Sequence, residues 1–348
     1  MLENIIKQSI AHRWLVLISV LAICALGIYN FNRLPIDAVP DITNVQVQIN
    51  TAADGYSPLE VEQRITFPVE TVLAGIPKLD YTRSLSRYGL SQVTVVFEDG
   101  TDIFFARQQI AERLQQIKSE IPEGLEPIMG PISTGLGEIF FYTVEAEDGA
   151  LKEDGTAYTP MDLLTVQNWI IVPQLRNLKG VVEVNTIGGY EQQFHVQPYP
   201  DQLLSYDLSI HEVIEALEAN NDNAGAGYIE RNGEQYLVRI PGQVEGLEDI
   251  RNIIVTKRDE LTIRVQDVAA VELGAPLRTG AATENGDEIV LGTAMMLMGE
   301  NSRDVSYRVG EKLKEVATSL PEGVIVKPIY DRTTLVEKTI KTVEKNLA

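Results

Sequence analysis

Cysteine is nearly absent from this chain. Cys24 stands alone among 348 residues, which excludes an internal disulfide and any Cys-rich zinc or iron-sulfur site. It lies in an apolar run, where packing is the default role. Histidine is scarce as well: the three, His12, His195 and His211, are far apart and show neither H-x-x-x-H nor H-E-x-x-H spacing, so no histidine-built metal site is expected. Basic residues are outnumbered, with 29 Lys+Arg against 50 Asp+Glu and a formal net charge of -21. Such a surface repels nucleic acid and anionic headgroups and tolerates cations, so a nucleic-acid partner is not expected. Catalytic signatures are missing too. There is no G-x-S-x-G and no phosphate loop, and the glycines of "VNTIGGYEQ" and "NAGAGYIE" form no G-x-G-x-x-G between strand and helix. The chain does not read as an enzyme, and no cofactor is expected.

What it does have is one long apolar run. No charged residue lies between Arg13 and Arg33, and "WLVLISVLAICALGIYNF" (14–31) reaches about 27 Å as a helix, enough for a bilayer core of about 30 Å. Trp14 and Tyr29 sit near its ends, where amphipathic rings prefer the interface. Lys7 and Arg13 precede it, and Asp37 and Asp41 follow, which places the N-terminus in the cytoplasm and the rest outside. The run continues into "YNFNRLP" with no A-x-A-like site, so it reads as an uncleaved anchor rather than a signal peptide.

After a Pro-punctuated crossing, alternation from Ile42 to Ile49 predicts a strand. "SPLEVEQRITFPVETVLAG" (57–75) predicts a helix with Ser57 as N-cap, Pro58 at its first position, Gly75 past its end and a kink at Pro68. Strands near 80–86 and 91–97, a helix from about Asp102 to Glu120 and a strand after "IPEG" complete a βαββαβ order, the split ferredoxin-like unit. A second copy is visible by comparison. "AERLQQIKSEIPEG" (111–124) lies over "GEKLKEVATSLPEG" (310–323) at a constant offset, 310 − 111 = 199, with apolar residues Ala106, Ile110, Leu114, Ile117 and Ile121 opposite Val305, Val309, Leu313, Val316 and Leu320. Face, turn and register agree, which marks an internal repeat.

The second unit is expected to be interrupted. A strand (137–147) and a helix (160–178) come first, the matching ββαβ arrives at about 277–330, and 179–274 reads as an insert opening on the hairpin "VVEVNTIGGYEQQFHV". Within it, "NNDNAGAGYIERNGEQ" (220–235) reads either as a solvated hairpin or as an arm that grips a neighbouring subunit. The closing "DRTTLVEKTIKTVEKNLA" starts as a helix and shows no C-cap signal, as if the chain stopped in mid-helix.

An anchor, two related ferredoxin-like units and an insert in the second resemble the N-terminal part of a resistance-nodulation-division (RND) efflux pump. "LPIDAVPDITNVQV", "VFEDGTDIFFARQQ", "STGLGEIFFYTV", "NNDNAGAGYIERNGEQYLVR" and "GENSRDV" look like its heavy-metal, CzcA-like branch of inner-membrane subunits. The resemblance implies an α+β chain. Residues 1–33 would hold the cytoplasmic N-terminus and transmembrane helix 1, and 34–133 a first porter subdomain. Residues 134–178 and 275–330 would form a split second porter subdomain, 179–274 a docking subdomain, and 331–348 the start of a helix leading to a second transmembrane segment. It also implies a homotrimer in the bacterial inner membrane, driven by proton influx, that passes heavy-metal cations to an outer-membrane channel with a periplasmic adaptor. The proton relay would lie in a middle transmembrane helix, outside this chain, so the chain alone is not expected to transport.

For the metal, the copper/silver branch carries a methionine before an Arg where this chain has Leu277, and an aromatic after "TGLG" where this chain has Glu138. Oxygen ligands favour the zinc, cobalt and cadmium reading over the copper and silver one. Glu138 reads either as a ligand on the metal path or as a strand-edge surface carboxylate. A stand-alone anchored periplasmic binding or adaptor module is the remaining alternative. The methionines of "GTAMMLMGE" fall, by the offset of 199, at the end of a strand, where Met295 points away from Met296 and Met298. Packing is the preferred role there, with Met296 and Met298 as the same-face pair.

Overall fold

The structure, a computed structural model, describes residues 10–31, 43–222, 224–231, 234–240, 242–258, 261–276, 278 and 280–347. Lys7, the crossing with Asp37 and Asp41, and Leu277 lie outside the described residues. Helix α1 spans Arg13–Phe31, and consecutive apolar side chains such as Trp14, Leu15, Leu17 and Ile18 are all exposed, so no one face of it is packed. Its 19 residues rise about 28 Å, near the short end of what a bilayer core needs. Among the described residues no helix is long and apolar enough to cross a membrane.

The chain forms two compact units, one of Met1–Ala157, Val166–Ile187 and Val290–Ala348, the other of Tyr158–Thr165 and Gly188–Ile289. The first begins with β1 (Gln46–Ala52) and α2 (Pro58–Val61), where Ser57 and Glu60 form a reciprocal capping box. A π-turn at Glu62–Thr66 leads into α3 (Phe67–Leu73). Pro68 has no N–H to give, and just before it the Phe67 N–H reaches back five residues to Glu62 O, so the expected kink takes the form of a π-turn. Strands β2 (Leu79–Arg87) and β3 (Leu90–Phe97) follow, then α4 (Ile103–Gln116), capped by Asp102, and β4 (Ile128–Met129). Ala106, Ile110 and Leu114 of α4 close a core with Val61, Ile65, Val69, Val93, Val95 and Phe97. The sheet is antiparallel in the order β2-β3-β1-β4.

Next come β5 (Glu138–Ala146), α5 (Pro160–Val166), a second π-turn (Gln167–Ile171), α6 (Val172–Arg176) and β6 (Val181–Ile187). Here the Val172 N–H bonds Gln167 O immediately before Pro173. The two π-turns are 105 residues apart (172 − 67), a correspondence between the first helices that the apolar pattern alone does not show.

The second unit holds β7 (Gln193–Pro198), α7 (Pro200–Ser205) and α8 (Ile210–Ala219), the last capped by a Ser209–Glu212 box. Strands β8 (Ala224–Arg231) and β9 (Glu234–Ile240) pair as a hairpin arm. Then come α9 (Leu247–Asn252), the pair β10 (Ile254–Arg258) and β11 (Leu261–Arg264), α10 (Val265–Val268), β12 (Ala269–Gly274) and β13 (Ala282–Glu284). Its core gathers Val213, Ala216, Ile250, Ile253, Ile263, Val265, Val268 and Val271.

The chain returns to the first unit through β14 (Asp287–Met296), α11 (Ser302–Ala317), β15 (Val324–Asp331) and α12 (Arg332–Leu347). The second sheet has five strands: β6-β14-β5-β15, again antiparallel, with the short β13 pairing the start of β14, so apart from β13 the second, third, first and fourth strands take the same places in both copies. Strand ends Phe97 and Met296, helix caps Asp102 and Asn301, and turn glycines Gly100 and Gly299 (φ 79° and 87°) all keep the offset of 199.

One expectation differs. The hairpin read at 181–196 does not form: β6 pairs with β14, and β7 pairs with β12. The turn residues Gly188 and Gly189 suggested a hairpin, but β6 covers the β14 edge that would otherwise be left unpaired. By compactness, Gly188–Ile289 groups with Tyr158–Thr165 in the second unit.

Gly292 in β14 faces Tyr142 across the ladder, and a Cβ there would meet the Tyr142 ring at 2.2 Å. Tyr142 is fully buried, so it has no room to yield. Gly292→Ala should destabilise this sheet by about 1–3 kcal/mol, read as faster hydrogen exchange of β5 and β14 amides; unchanged protection would show that the ring moves aside.

Candidate functional site

The second sheet has one face against α11. A Cβ at Gly310 of α11 would lie 3.4 Å from the Phe140 ring, so Phe140 and its register partner Ala294 look toward that helix. Met295, the next residue of β14, therefore looks the other way. Its partners are Glu138 on β5 and Glu183 on β6. Directly opposed residues share a face, so two carboxylates flank one thioether. Both ladders are irregular here: the register passes over Ile139 on β5 and Val182 on β6. Such bulges re-aim side chains at the end of a strand.

Asn185 Nδ2 donates to Met295 Sδ at 3.0 Å, which ties the amide into the same row. The adjacent row contains Asn185, Thr293 and Phe141, and the Phe141 ring lies 5.3 Å from that of Tyr330 at 37°. Glu138 and Asn185 are exposed, and Glu183 and Met295 half-buried. The donors are thus two carboxylates, an amide and a thioether, a set that suits a borderline divalent cation. Among the described residues there is no group of three or more His, Cys, Asp or Glu that could hold a metal. The two carboxylates of the row do not make such a group by themselves.

Glu138 is delivered to this row by the Gly135–Gly137 turn. Ser133 Oγ donates to Met296 O at 2.9 Å, and the Met298 N–H donates to Ile132 O at 3.2 Å, so the turn is tied to the end of β14. A Cβ on Gly137 would meet Ser133 Oγ at 2.1 Å and Met296 O at 3.2 Å.

On the helix-facing side, Gln167 Nε2 donates to Tyr142 Oη at 3.0 Å and Gln167 Oε1 is buried without a partner. Burial pushes the Tyr142 phenol well above its usual range, so it stays protonated and structural.

Of the residues singled out from the sequence, Glu138 lies at the first position of β5, in the row. Met296 is buried and ends β14, whereas Met298 sits in the turn beyond it. Alternation fixes faces only inside a strand, so the pairing of Met296 with Met298 has no strand to support it. The thioether beside Glu138 belongs to Met295. Glu183 is not visible from the sequence, because β6 reads there as part of the insert; its two-residue spacing from Asn185 is the one local signal.

Two equivalent antiparallel sheets, an insert between the second and third strands of the later one and an exposed apolar helix define a class of protein. The chain matches the AcrB/AcrD/AcrF family model over residues 5–348 and belongs to that family. It is 61% identical over 347 residues to the cobalt-zinc-cadmium resistance protein CzcA of Cupriavidus metallidurans, an alignment that covers 100% of this chain and 33% of that protein. It is 35% identical over 349 residues to the cation efflux system protein CusA of Escherichia coli K12, covering 100% of this chain and 33% of that one. A crystal structure of a heavy metal efflux pump superposes with a TM-score of 0.84 at 32% identity, over 95% of this chain and 32% of that chain. The chain spans about a third of the length of the curated relatives it matches.

Cobalt(II) titrated into this chain should broaden the Met295 methyl resonance before those of Met296 and Met298, and Glu138→Gln should weaken the effect. Equal broadening of all three methyls would contradict the assignment of the row.

Proposed function

We propose that this chain supplies about a third of a proton-driven efflux transporter for heavy-metal cations of the zinc, cobalt and cadmium type, in the bacterial inner membrane. The observation that carries this reading is the 61% identity, over the whole chain, to a protein named for cobalt, zinc and cadmium resistance, against 35% to CusA. The donor chemistry agrees: carboxylates outnumber thioethers in the row, and Cu(I) prefers soft sulfur ligands.

In this reading the two larger sheets with their helices are the ferredoxin-like porter subdomains. The shared strand order supports it, as does the repeat offset of 199 residues. The unit at Gly188–Ile289 is the docking subdomain, and its β8–β9 arm reaches a neighbouring subunit of a homotrimer. A periplasmic adaptor and an outer-membrane channel are the remaining partners. Glu138 and Glu183 are ligands on the metal path, completed by donors from the rest of the pump.

Helix α1 is the membrane anchor in this reading, with the N-terminus cytoplasmic. Its 19 residues sit at the lower limit of length, but residues 14–31 carry no charge, and its exposed apolar side chains have no cover in water. Alkaline extraction should leave this chain in the membrane fraction; release into the supernatant would refute the anchor.

In the complete pump, Glu138→Ala and Glu183→Ala should each lower zinc tolerance at unchanged protein level. Wild-type tolerance in both variants would remove the row from the metal path.

A further inference from the structure

The backbone carbonyl two residues before Glu138 is held by the start of a helix: Leu136 O accepts a hydrogen bond from Arg332 Nη1 at 2.8 Å. On the other side of Glu138, the Ser306 hydroxyl has two acceptors in reach, Asp331 Oδ1 at 2.7 Å and Ile139 O at 3.2 Å, and its one proton goes to the nearer carboxylate oxygen. Asp331 Oδ1 also accepts the Thr333 N–H at 2.8 Å, which caps the first turn of α12. The tie to the turn is therefore that of Arg332, where β15 becomes α12, and Ser306 holds the neighbouring Asp331 in place.

Both side chains are buried. Arg332 is 5% exposed and Ser306 fully covered, while Glu138 is exposed. A guanidinium removed from water persists only where its donors are satisfied, and here one of them is satisfied by a carbonyl of the Gly135–Gly137 turn. Val336, one turn further along α12, is also fully buried and fixes the helix start to the same unit. The other end of the turn is fastened to β14 through Ser133 Oγ and Met296 O. A displacement of α12 would pull on Leu136 O against that fastening, and so change where the Glu138 carboxylate stands relative to Met295 and Glu183.

We propose that Arg332 is a positioning residue for Glu138, with Ser306 holding the adjacent Asp331, so that helix α12 and the carboxylate move together. The assignment rests on the reading of Glu138 as a ligand on the metal path. Arg332 acts through the backbone that precedes the ligand and not on the metal.

The test uses the complete pump reconstituted in vesicles, with zinc as the transported ion. Arg332→Met should raise the zinc KM about tenfold, the size of effect expected when a group supporting a metal ligand is lost. Arg332→Lys should restore part of it, and Ser306→Ala should shift KM in the same direction by less. In a Glu138→Gln background, Arg332→Met should add nothing further to KM. A fully additive loss in that background would overturn the positioning role while leaving Glu138 as a ligand. A wild-type KM in Glu138→Gln alone would remove the ligand and the assignment with it. Hydrogen exchange gives an independent reading: Arg332→Met, or Ser306→Ala where the first variant fails to fold, should speed exchange at residues 135–139 and leave β1 and β3 unchanged. Unaltered exchange at 135–139 would also overturn it.

Discussion

Ala294 and Met295 are neighbours in one strand, yet one is fully buried on the helix side and the other stands among carboxylates. That separation follows from the alternation of a strand, and everything else in the first unit depends on it. Each copy can satisfy its hydrophobic requirement with one sheet face, because α4 and α11 bring an unbroken apolar stripe to it. The other face is then free of the demands of the core. In the first copy it carries amides: Gln48 Nε2 donates to Asn50 Oδ1 at 3.0 Å, and Arg83 to Gln46 at 3.3 Å. In the second copy the corresponding face carries Glu138, Met295, Glu183 and the Phe141–Tyr330 pair. One scaffold thus supports two surface chemistries without any change to its packing.

The first helices of the two copies share a second constraint. Each meets a proline in mid-course, and each absorbs it in a π-turn rather than a break. A π-turn carries an extra residue per turn, and both turns bring a polar side chain into the interior. Thr66 Oγ1 lies 2.8 Å from Ser86 Oγ and from Ser91 Oγ, linking the helix to β2 and β3. Gln167 does the equivalent with Tyr142 on β5 and Thr186 on β6. Buried polar groups with partners fix a helix in register on its sheet in a way that apolar contacts alone do not.

Much of this was legible in the sequence because it is local or periodic. The stripe Val305, Val309, Leu313 and Val316 needed only a helical period, and the offset of 199 needed only two matched segments. Ser57 and Gly75 mark helix ends through their own chemistry. What was not legible is long-range. Nothing near Val181–Ile187 says that its partner arrives about a hundred residues later, in β14, so the nearer β7 looked like the natural mate. Glu183 was lost with that strand. Met298 was misplaced for a different reason: alternation predicts a face only as far as the strand continues, and the strand stops at Met296. The tie from Arg332 to Leu136 spans 196 residues and could not be read from spacing.

A carrier's site must release what it binds. Binding has to be favourable enough for the ion to enter and weak enough for it to leave, a requirement familiar from ion pathways in general. In the function proposed above, two carboxylates and one thioether would meet the second condition as an incomplete shell, and the formal charge of -21 would help the first by raising the local cation concentration. The remaining need is a means of changing the shell during a cycle. Glu138 alone of the row is preceded by a glycine-rich turn, whereas Glu183 and Met295 are held within paired strands. On the proposed reading, a ligand at the end of a strand, tied through the turn before it to one helix start, can be moved without breaking the ladders that position its partners.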